Sequence, residues 1–152
     1  MLLEIIFKGL FSVLNLSFLS ELLMNAKDIR FNHPEELIVS NREELVETFK
    51  ENEYVDFIIT TDNFIINDKV VPKVFINLTK DENNIELLIY FDLHDYNSVN
   101  RKTGIDDLAS WADLFLKNYN FDYYVCQTDN ADENEYYFDS NGWGPLYSRI
   151  NC

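Results

Sequence analysis

The sequence predicts an α+β fold in which a mostly antiparallel sheet of about five strands is packed by helices. One observation is the stretch 85–93, where seven of nine residues are apolar or aromatic and Leu87 to Phe91 is apolar without a break. A strand with one face in solvent should alternate apolar and polar side chains, so this unbroken run favours a central strand with helices on at least one side. The other observations are strand-like runs separated by Asn/Asp pairs, and segments of helical character near 10–26, 41–52 and 105–118.

The length of 152 residues suits a single domain spanning 1–152, which is long enough to bury a core of its own. The N-terminal region is rich in Leu, Ile and Phe, and we expect a strand or turn over 2–7 followed by the helix near 10–26. Apolar residues occupy almost the whole circumference of that helix, so it must be covered widely. The rest of the fold would cover it, or a second copy would do so in a homodimer.

The same apolar region raises the question of a membrane segment. Glu4 precedes the run, Glu21 lies within its end, and no small-x-small cleavage site follows, which argues against a signal peptide. The uncharged stretch from Gly9 to Ser20 is about half the length that a membrane span requires. We therefore expect no membrane partner.

The segment 27–37 contains His33-Pro34, and because the residue before a proline is pushed to extended geometry, it is predicted to be a connector. Ile38-Val39 is a candidate short strand. Ser40-Asn-Arg-Glu43 has the spacing of a capping box, in which the serine hydroxyl and the glutamate each satisfy a free backbone amide. This motif predicts the helix at 41–52.

Pro72 lacks an amide proton, which places Val70-Val71 at an edge or outside the sheet. The polar residues 80–84 predict a hairpin loop that leads into the central strand. The other strands predicted in this half of the chain are Tyr54–Thr61, Phe64–Ile66 and Val74–Thr79.

The clearest helical period spans 105–118 and follows a Thr103 cap. Trp111 lies at the margin of its apolar face and Leu114 lies opposite, so both are either covered by the leading helix or half exposed for a partner. An acidic Asn/Asp loop at 128–135 separates the last two predicted strands, Phe121–Gln127 and Tyr136–Phe138.

The net charge of −15, from 27 acids against 12 Lys and Arg, is the most informative total. Such a surface repels phosphate backbones and attracts basic partners. No basic patch exists to release counterions, so nucleic-acid binding is disfavoured. The alternative is that the acidity serves solubility alone.

Cys126 and Cys152 are too few for a disulfide scaffold, and two reduced thiols in a cytoplasm are favoured over a bridge between them.

Asp92, His94 and Asp95 are the one cluster with metal-ligand chemistry, because Asp92 and His94 share a face of the strand and Asp95 adds an oxygen. A transition-metal site would need more nitrogen or sulfur donors. Cys126 with His94 is an alternative catalytic pair, although a cysteine in an apolar strand is usually inert. There is no Gly-rich phosphate loop and no HExxH motif, so we expect neither a cofactor nor an enzyme.

The candidate binding surface combines acids of the loop 128–135 with nearby aromatic residues. Rigid rings surrounded by charge are typical of a protein-binding patch, since they supply contact area at low entropic cost. The alternative is that the rings pack the sheet edge and the acids belong to a solvated loop. The predicted partner-binding residues are Asp129, Asp132, Glu133, Glu135, Tyr136, Trp143 and Tyr147.

In its size, acidity, two cysteines and α+β organisation, the chain resembles the bacterial immunity proteins, the cytoplasmic partners of contact-dependent and other polymorphic toxins. The resemblance implies a protein that neutralises a cognate basic toxin domain, a nuclease, by occluding its active-site cleft. The rival hypotheses are a small enzyme or metal-binding protein that uses Asp92, His94 and Asp95, and an oligomeric adaptor organised by the leading helix.

Overall fold

The computed structural model describes residues 1–150. In this range the helices are α1 Leu19–Asn25, α2 Arg42–Glu51 and α3 Arg101–Asn118, and 3-10 helices lie at Val13–Leu16, Leu93–Tyr96 and Tyr147–Arg149. The strands are β1 Leu2–Leu10, β2 Asp28–His33, β3 Tyr54–Thr61, β4 Phe64–Ile66, β5 Lys69–Val71, β6 Val74–Asp81, β7 Asn84–Asp92, β8 Tyr123–Thr128, β9 Tyr136–Asp139 and β10 Gly142–Trp143. None of these helices has the length and apolarity needed to cross a membrane.

Eight strands form one antiparallel sheet in the order β10-β9-β8-β1-β7-β6-β3-β2, and β4 pairs with β5 in a separate hairpin. β7 lies between β1 and β6, and its pairing with β1 runs from Leu2 opposite Asp92 to Leu10 opposite Asn84. The α+β class, the antiparallel pairing and the central position of the stretch 85–93 are therefore confirmed. The prediction of about five strands is wrong, because the sheet has eight.

Two strands of the sheet were missed by the sequence reasoning. β2 occupies part of the predicted connector, and Ile29 and Phe31 alternate there with polar residues, as an edge strand requires. β10 has only two residues and pairs with β9, so no pattern could show it. The strand predicted at Ile38-Val39 is wrong, since these residues lie outside any strand and Ile38 is 86% exposed.

The predicted helix 10–26 is also wrong as a continuous element. β1 extends to Leu10, a 3-10 helix follows at Val13–Leu16, and α1 has only seven residues. The reason is a tertiary hydrogen-bond network: the buried Asn15 carboxamide donates to the carbonyls of Tyr119 and Asn120, at 2.8 and 3.0 Å. The homodimer predicted through this helix therefore has no continuous helical face to use, and the oligomeric state stays a prediction.

The other two predicted helices are confirmed with shifted starts. Asn41, rather than Ser40, is the N-cap of α2 and accepts the Glu44 amide at 2.9 Å, while the Ser40 hydroxyl donates to the Glu44 carboxylate. The cap of α3 is Asn100, whose side chain accepts the Thr103 amide at 2.9 Å. α3 therefore begins one turn before the predicted Ile105, because asparagine caps a helix as well as serine or threonine does.

The helices pack on one face of the sheet. Phe7 of β1 lies 4.7 Å from Phe115 of α3 between ring centroids, Lys80 of β6 donates to the backbone of α2, and Leu19 of α1 joins the same core. Side chains at alternate strand positions line this core: Leu3, Ile5, Phe7, Phe57, Ile59, Ile76, Leu78, Leu87, Ile89, Phe91, Tyr124 and Cys126. The intervening side chains point to the opposite side, which we call the open face.

Candidate partner-binding surface

The acidic loop that joins β8 to β9 carries four of the predicted binding residues. Asp129, Asp132, Glu133 and Glu135 are all exposed. The loop is closed by its own backbone, since Glu135 donates its amide to the Asp132 carbonyl at 2.9 Å and accepts the Asp132 amide on its carboxylate at 3.2 Å. Within residues 1–150 none of the four carboxylates forms a salt bridge. Their charge is therefore available to a partner.

Trp143 and Tyr147 form a stacked pair, with ring centroids 3.8 Å apart and planes 15° apart. The Tyr147 hydroxyl donates to Asp106 of α3 at 2.6 Å, and Lys102 lies 5.3 Å from the Tyr147 ring. Trp143 is 51% exposed and borders a groove of about 500 Å³ between α3 and the β9–β10 hairpin. This pair is thus anchored on the helix side of the sheet.

Tyr136 lies on the side of the sheet that faces away from the helices. It pairs with Gln127 of β8, whereas Phe138 pairs with both Cys126 and Trp143. Paired residues share a face of the sheet, and the register of β8 and β9 shifts between these two pairs, so Tyr136 points to the open face although Phe138 and Trp143 point to the helix side. The structure therefore brings the loop acids together with Tyr136 at one end of the sheet, and it places the Trp143–Tyr147 pair around the edge from them.

Asp129 connects the acidic loop to the open face. It follows β8 and lies close enough to Tyr90 of β7 for its charge to act on the phenol: burial chiefly, then Asp129, Glu4 and Asp92, raise the pKa of Tyr90. Glu4 also accepts a hydrogen bond from Gln127 at 3.0 Å. Glu4 lies directly opposite Tyr90, and Asp92 follows it two residues along β7, so carboxylates lie on two sides of this aromatic side chain.

The candidate metal cluster has a different arrangement from the predicted one. Asp92 accepts the Met1 amine at 2.9 Å and the His94 backbone amide at 3.0 Å, and these hydrogen bonds lower the pKa of Asp92. His94 is exposed and begins to turn away from the strand in the 3-10 helix. In the part of the chain from 1 to 150, no three His, Cys, Asp or Glu side chains converge as metal ligands would.

The cysteine candidate lies in the core. Cys126 has no exposed surface and pairs with Ile5 and Phe138, and burial raises the pKa of its thiol far above the ordinary value. A thiolate is the nucleophilic form, so this environment disfavours the catalytic pair of Cys126 with His94. Cys152, and with it any bridge to Cys126, lies outside the described residues.

Sequence reasoning missed the apolar side chains of the open face. Ile6, Phe75, Leu88, Tyr90 and Val125 are half-buried there. The unbroken apolar run from Leu87 to Phe91 is the sequence feature that points to these side chains. By itself, however, it predicts only that the strand lies inside the fold. Alternation along β7 places Leu88 and Tyr90 away from the helices.

The comparisons with known proteins agree with the resemblance seen in the sequence. A family model described as PABL017 Cdi1I immunity protein matches residues 1–142. The chain belongs to this immunity protein family. The predicted resemblance to the immunity proteins of contact-dependent inhibition is therefore confirmed, and so is a role in toxin immunity.

The fold of this immunity protein is similar to that of a solved chain from the complex of the toxic C-terminal tip of CdiA from Pseudomonas aeruginosa with its immune protein. The TM-score is 0.74 at 19% identity, over 95% of this chain and 97% of that chain. At this identity the likeness concerns the fold. No curated protein matches the sequence.

Proposed function

We propose that this immunity protein binds the toxic tip of a cognate CdiA-type toxin, a nuclease, and occludes its basic active-site cleft. The observation that carries the proposal is a net charge of −15 together with four exposed loop carboxylates that have no salt-bridge partner within residues 1–150. The protein acts in the cytoplasm, by binding alone and without a cofactor.

The physical basis is complementary potential. A nuclease holds the phosphates of its substrate in a cleft lined by Lys and Arg. A surface of carboxylates offers that cleft negative charge, as the phosphates do. Long-range attraction speeds the encounter, by roughly 10- to 1000-fold at low ionic strength. Contact between the two surfaces then excludes the nucleic acid. The family membership supports a toxin partner, and so does the solved chain of similar fold, which comes from a complex containing a toxic CdiA tip.

The decisive experiment measures binding and inhibition with the toxin tip encoded beside this gene. Two variants are compared with the wild-type chain by stopped-flow association at several salt concentrations. The loop variant carries Asp129→Asn, Asp132→Asn, Glu133→Gln and Glu135→Gln. The matched variant carries Glu43→Gln, Glu47→Gln, Glu51→Gln and Glu53→Gln, which are exposed acids on or next to α2. Each variant changes the net charge from −15 to −11.

We expect the loop variant to associate at least about tenfold more slowly at low salt and to show a shallower salt dependence, because the steering charges are lost where the cleft approaches. The matched variant should retain most of the wild-type rate. Equal rates for the two variants would show that the loop is not at the interface. Absence of stoichiometric binding by the wild-type chain, or a toxin tip without nuclease activity, would contradict the corresponding part of the proposal.

A further inference from the structure

We propose that the toxin docks on the open face of the sheet, with Leu88 and Tyr90 of β7 as its apolar anchors. This inference rests on the proposed function and specifies where the partner binds. The anchors belong to an apolar strip that we define as Ile6, Phe75, Leu88, Tyr90 and Val125.

The strip is contiguous across four neighbouring strands. Ile6 of β1 lies directly opposite Leu88 of β7 on one side and Val125 of β8 on the other. Phe75 of β6 lies opposite Tyr90. Directly opposed side chains on one face have Cβ atoms about 5 Å apart, so these five residues form one surface.

Apolar residues at these positions are not needed by the chain's own core. An antiparallel sheet with one face packed and one face solvated alternates apolar with polar residues, and this sheet already buries its core beneath the helices. Within residues 1–150 the helices pack on that other face. Five large apolar side chains remain only partly covered, which is the pattern of a surface that a partner completes.

The charges around the strip specify the chemistry of that partner. Lys8 and Arg30 also lie on the open face, but Lys8 is paired with Glu86 at 3.8 Å. Glu4, which lies directly opposite Tyr90, accepts a hydrogen bond from Gln127 and keeps further acceptor capacity on its carboxylate. A partner with an apolar centre and flanking Lys or Arg residues fits this arrangement. The carboxylates nearest the strip are Glu4, Glu86, Asp92 and Asp129, of which Glu86 is paired with Lys8 and Asp92 with the Met1 amine.

The open face also supplies a large part of the area that a stable complex needs. The five strands from β8 to β3 span about 20 Å across and about 25 Å along the strands, or roughly 500 Å². The acidic loop adjoins this area at Asp129. This is somewhat more than half of the ~800 Å² that each partner contributes to a standard protein interface, and the loop adds to it.

The test uses paired threonine substitutions, because threonine removes apolar area while it keeps a high strand propensity. The open-face variant is Leu88→Thr with Tyr90→Thr. The matched control is Ile65→Thr with Val70→Thr on the β4–β5 hairpin, where both side chains are more exposed, at 55% and 57%. Binding of the purified toxin tip is measured by calorimetric titration, and thermal unfolding confirms that each variant is folded.

We expect the open-face variant to bind roughly 100-fold more weakly, since each truncated anchor costs about tenfold or more, and the control to bind within about threefold of wild type. Undiminished binding by the open-face variant, or a larger loss in the control, would overturn this inference while leaving the proposed function in place. Failure of the wild-type chain to bind overturns both.

A second measurement avoids substitutions. Hydroxyl-radical footprinting of the wild-type chain should show Tyr90 and Phe75 becoming protected when the toxin tip is added, and Ile65 on the β4–β5 hairpin remaining reactive. Protection of Tyr90 in the free chain, together with elution as a dimer, would identify the open face as a contact between two copies and would overturn the inference.

Discussion

Lys80 offers the sharpest test of how this fold is held together. It is 6% exposed, and its ammonium donates to the Phe49 carbonyl at 2.7 Å and the Asn52 carbonyl at 2.6 Å. These carbonyls lie at the C-terminal end of α2, where the last four carbonyls have no intrahelical donor. The positive charge also lies at the negative end of the helix dipole. We therefore predict that Lys80→Met destabilises the protein.

The expected loss can be estimated from these contacts. Each hydrogen bond to a charged group contributes about 1.5–3 kcal/mol, and methionine would leave one buried and one partly buried carbonyl without their donor. Removing a buried ammonium recovers part of its desolvation cost, which offsets some of that loss. A net decrease of about 3 kcal/mol in the free energy of unfolding follows, which for a chain of this size lowers Tm by about 6–12 °C.

Urea and thermal unfolding followed by circular dichroism measure this change. The matched control is Lys50→Met, which removes the same charge from an exposed position in the last turn of α2. Its effect should stay within about 0.5 kcal/mol. If Lys80→Met were as stable as Lys50→Met, the ammonium would not be satisfying the helix end, and the reasoning would be refuted.

Two further changes probe the core. Asn15→Leu should lower the free energy of unfolding by about 3 kcal/mol, because it removes two hydrogen bonds donated by the Asn15 carboxamide and one that it accepts from the Ser12 amide at 2.6 Å; an unchanged urea midpoint would contradict this. Burial raises the pKa of Cys126, and burial followed by the charge of Asp113 raises the pKa of Tyr124 to about 12. Both groups ionise more readily when unfolded, so stability should be full below about pH 8 and fall as the pH rises above it. Urea midpoints measured at increasing alkaline pH should fall less steeply for Cys126→Ala than for the wild-type chain. Identical slopes for the two proteins would refute the contribution of the thiol.

Some elements followed directly from local pattern. The strands Tyr54–Thr61 and Phe64–Ile66 have the predicted bounds, because Asn/Asp turn pairs mark their ends. The hairpin into β7 was also predicted, although its loop is tighter: Asp81 pairs with Asn84, so Glu82 and Asn83 alone make the turn. Pro72 predicted that Val70-Val71 lies at an edge or outside the sheet, and β5 lies outside the main sheet, paired with β4.

Other predictions failed where distant contacts decide the structure. The apolar content near residues 10–26 suits a helix, but pairing of β1 with both β7 and β8 and the hydrogen bonds of Asn15 divide the segment. From the sequence, Trp111 and Leu114 could each be covered by the fold or exposed. In the structure Trp111 is half-buried against Phe7, and Leu114 is 59% exposed. A local period determines neither outcome.

By itself the sequence determined the α+β class, the position of the central strand, the acidity of the surface and the resemblance to immunity proteins, since composition and short-range periodicity are properties of neighbouring residues. Only the tertiary structure decided that Leu88 and Tyr90 face away from the helices, that Tyr136 and Trp143 lie on different sides of the sheet, and that Lys80 is buried at a helix end. Each of these depends on which strands pair and in what register, and those pairings join residues far apart in the chain.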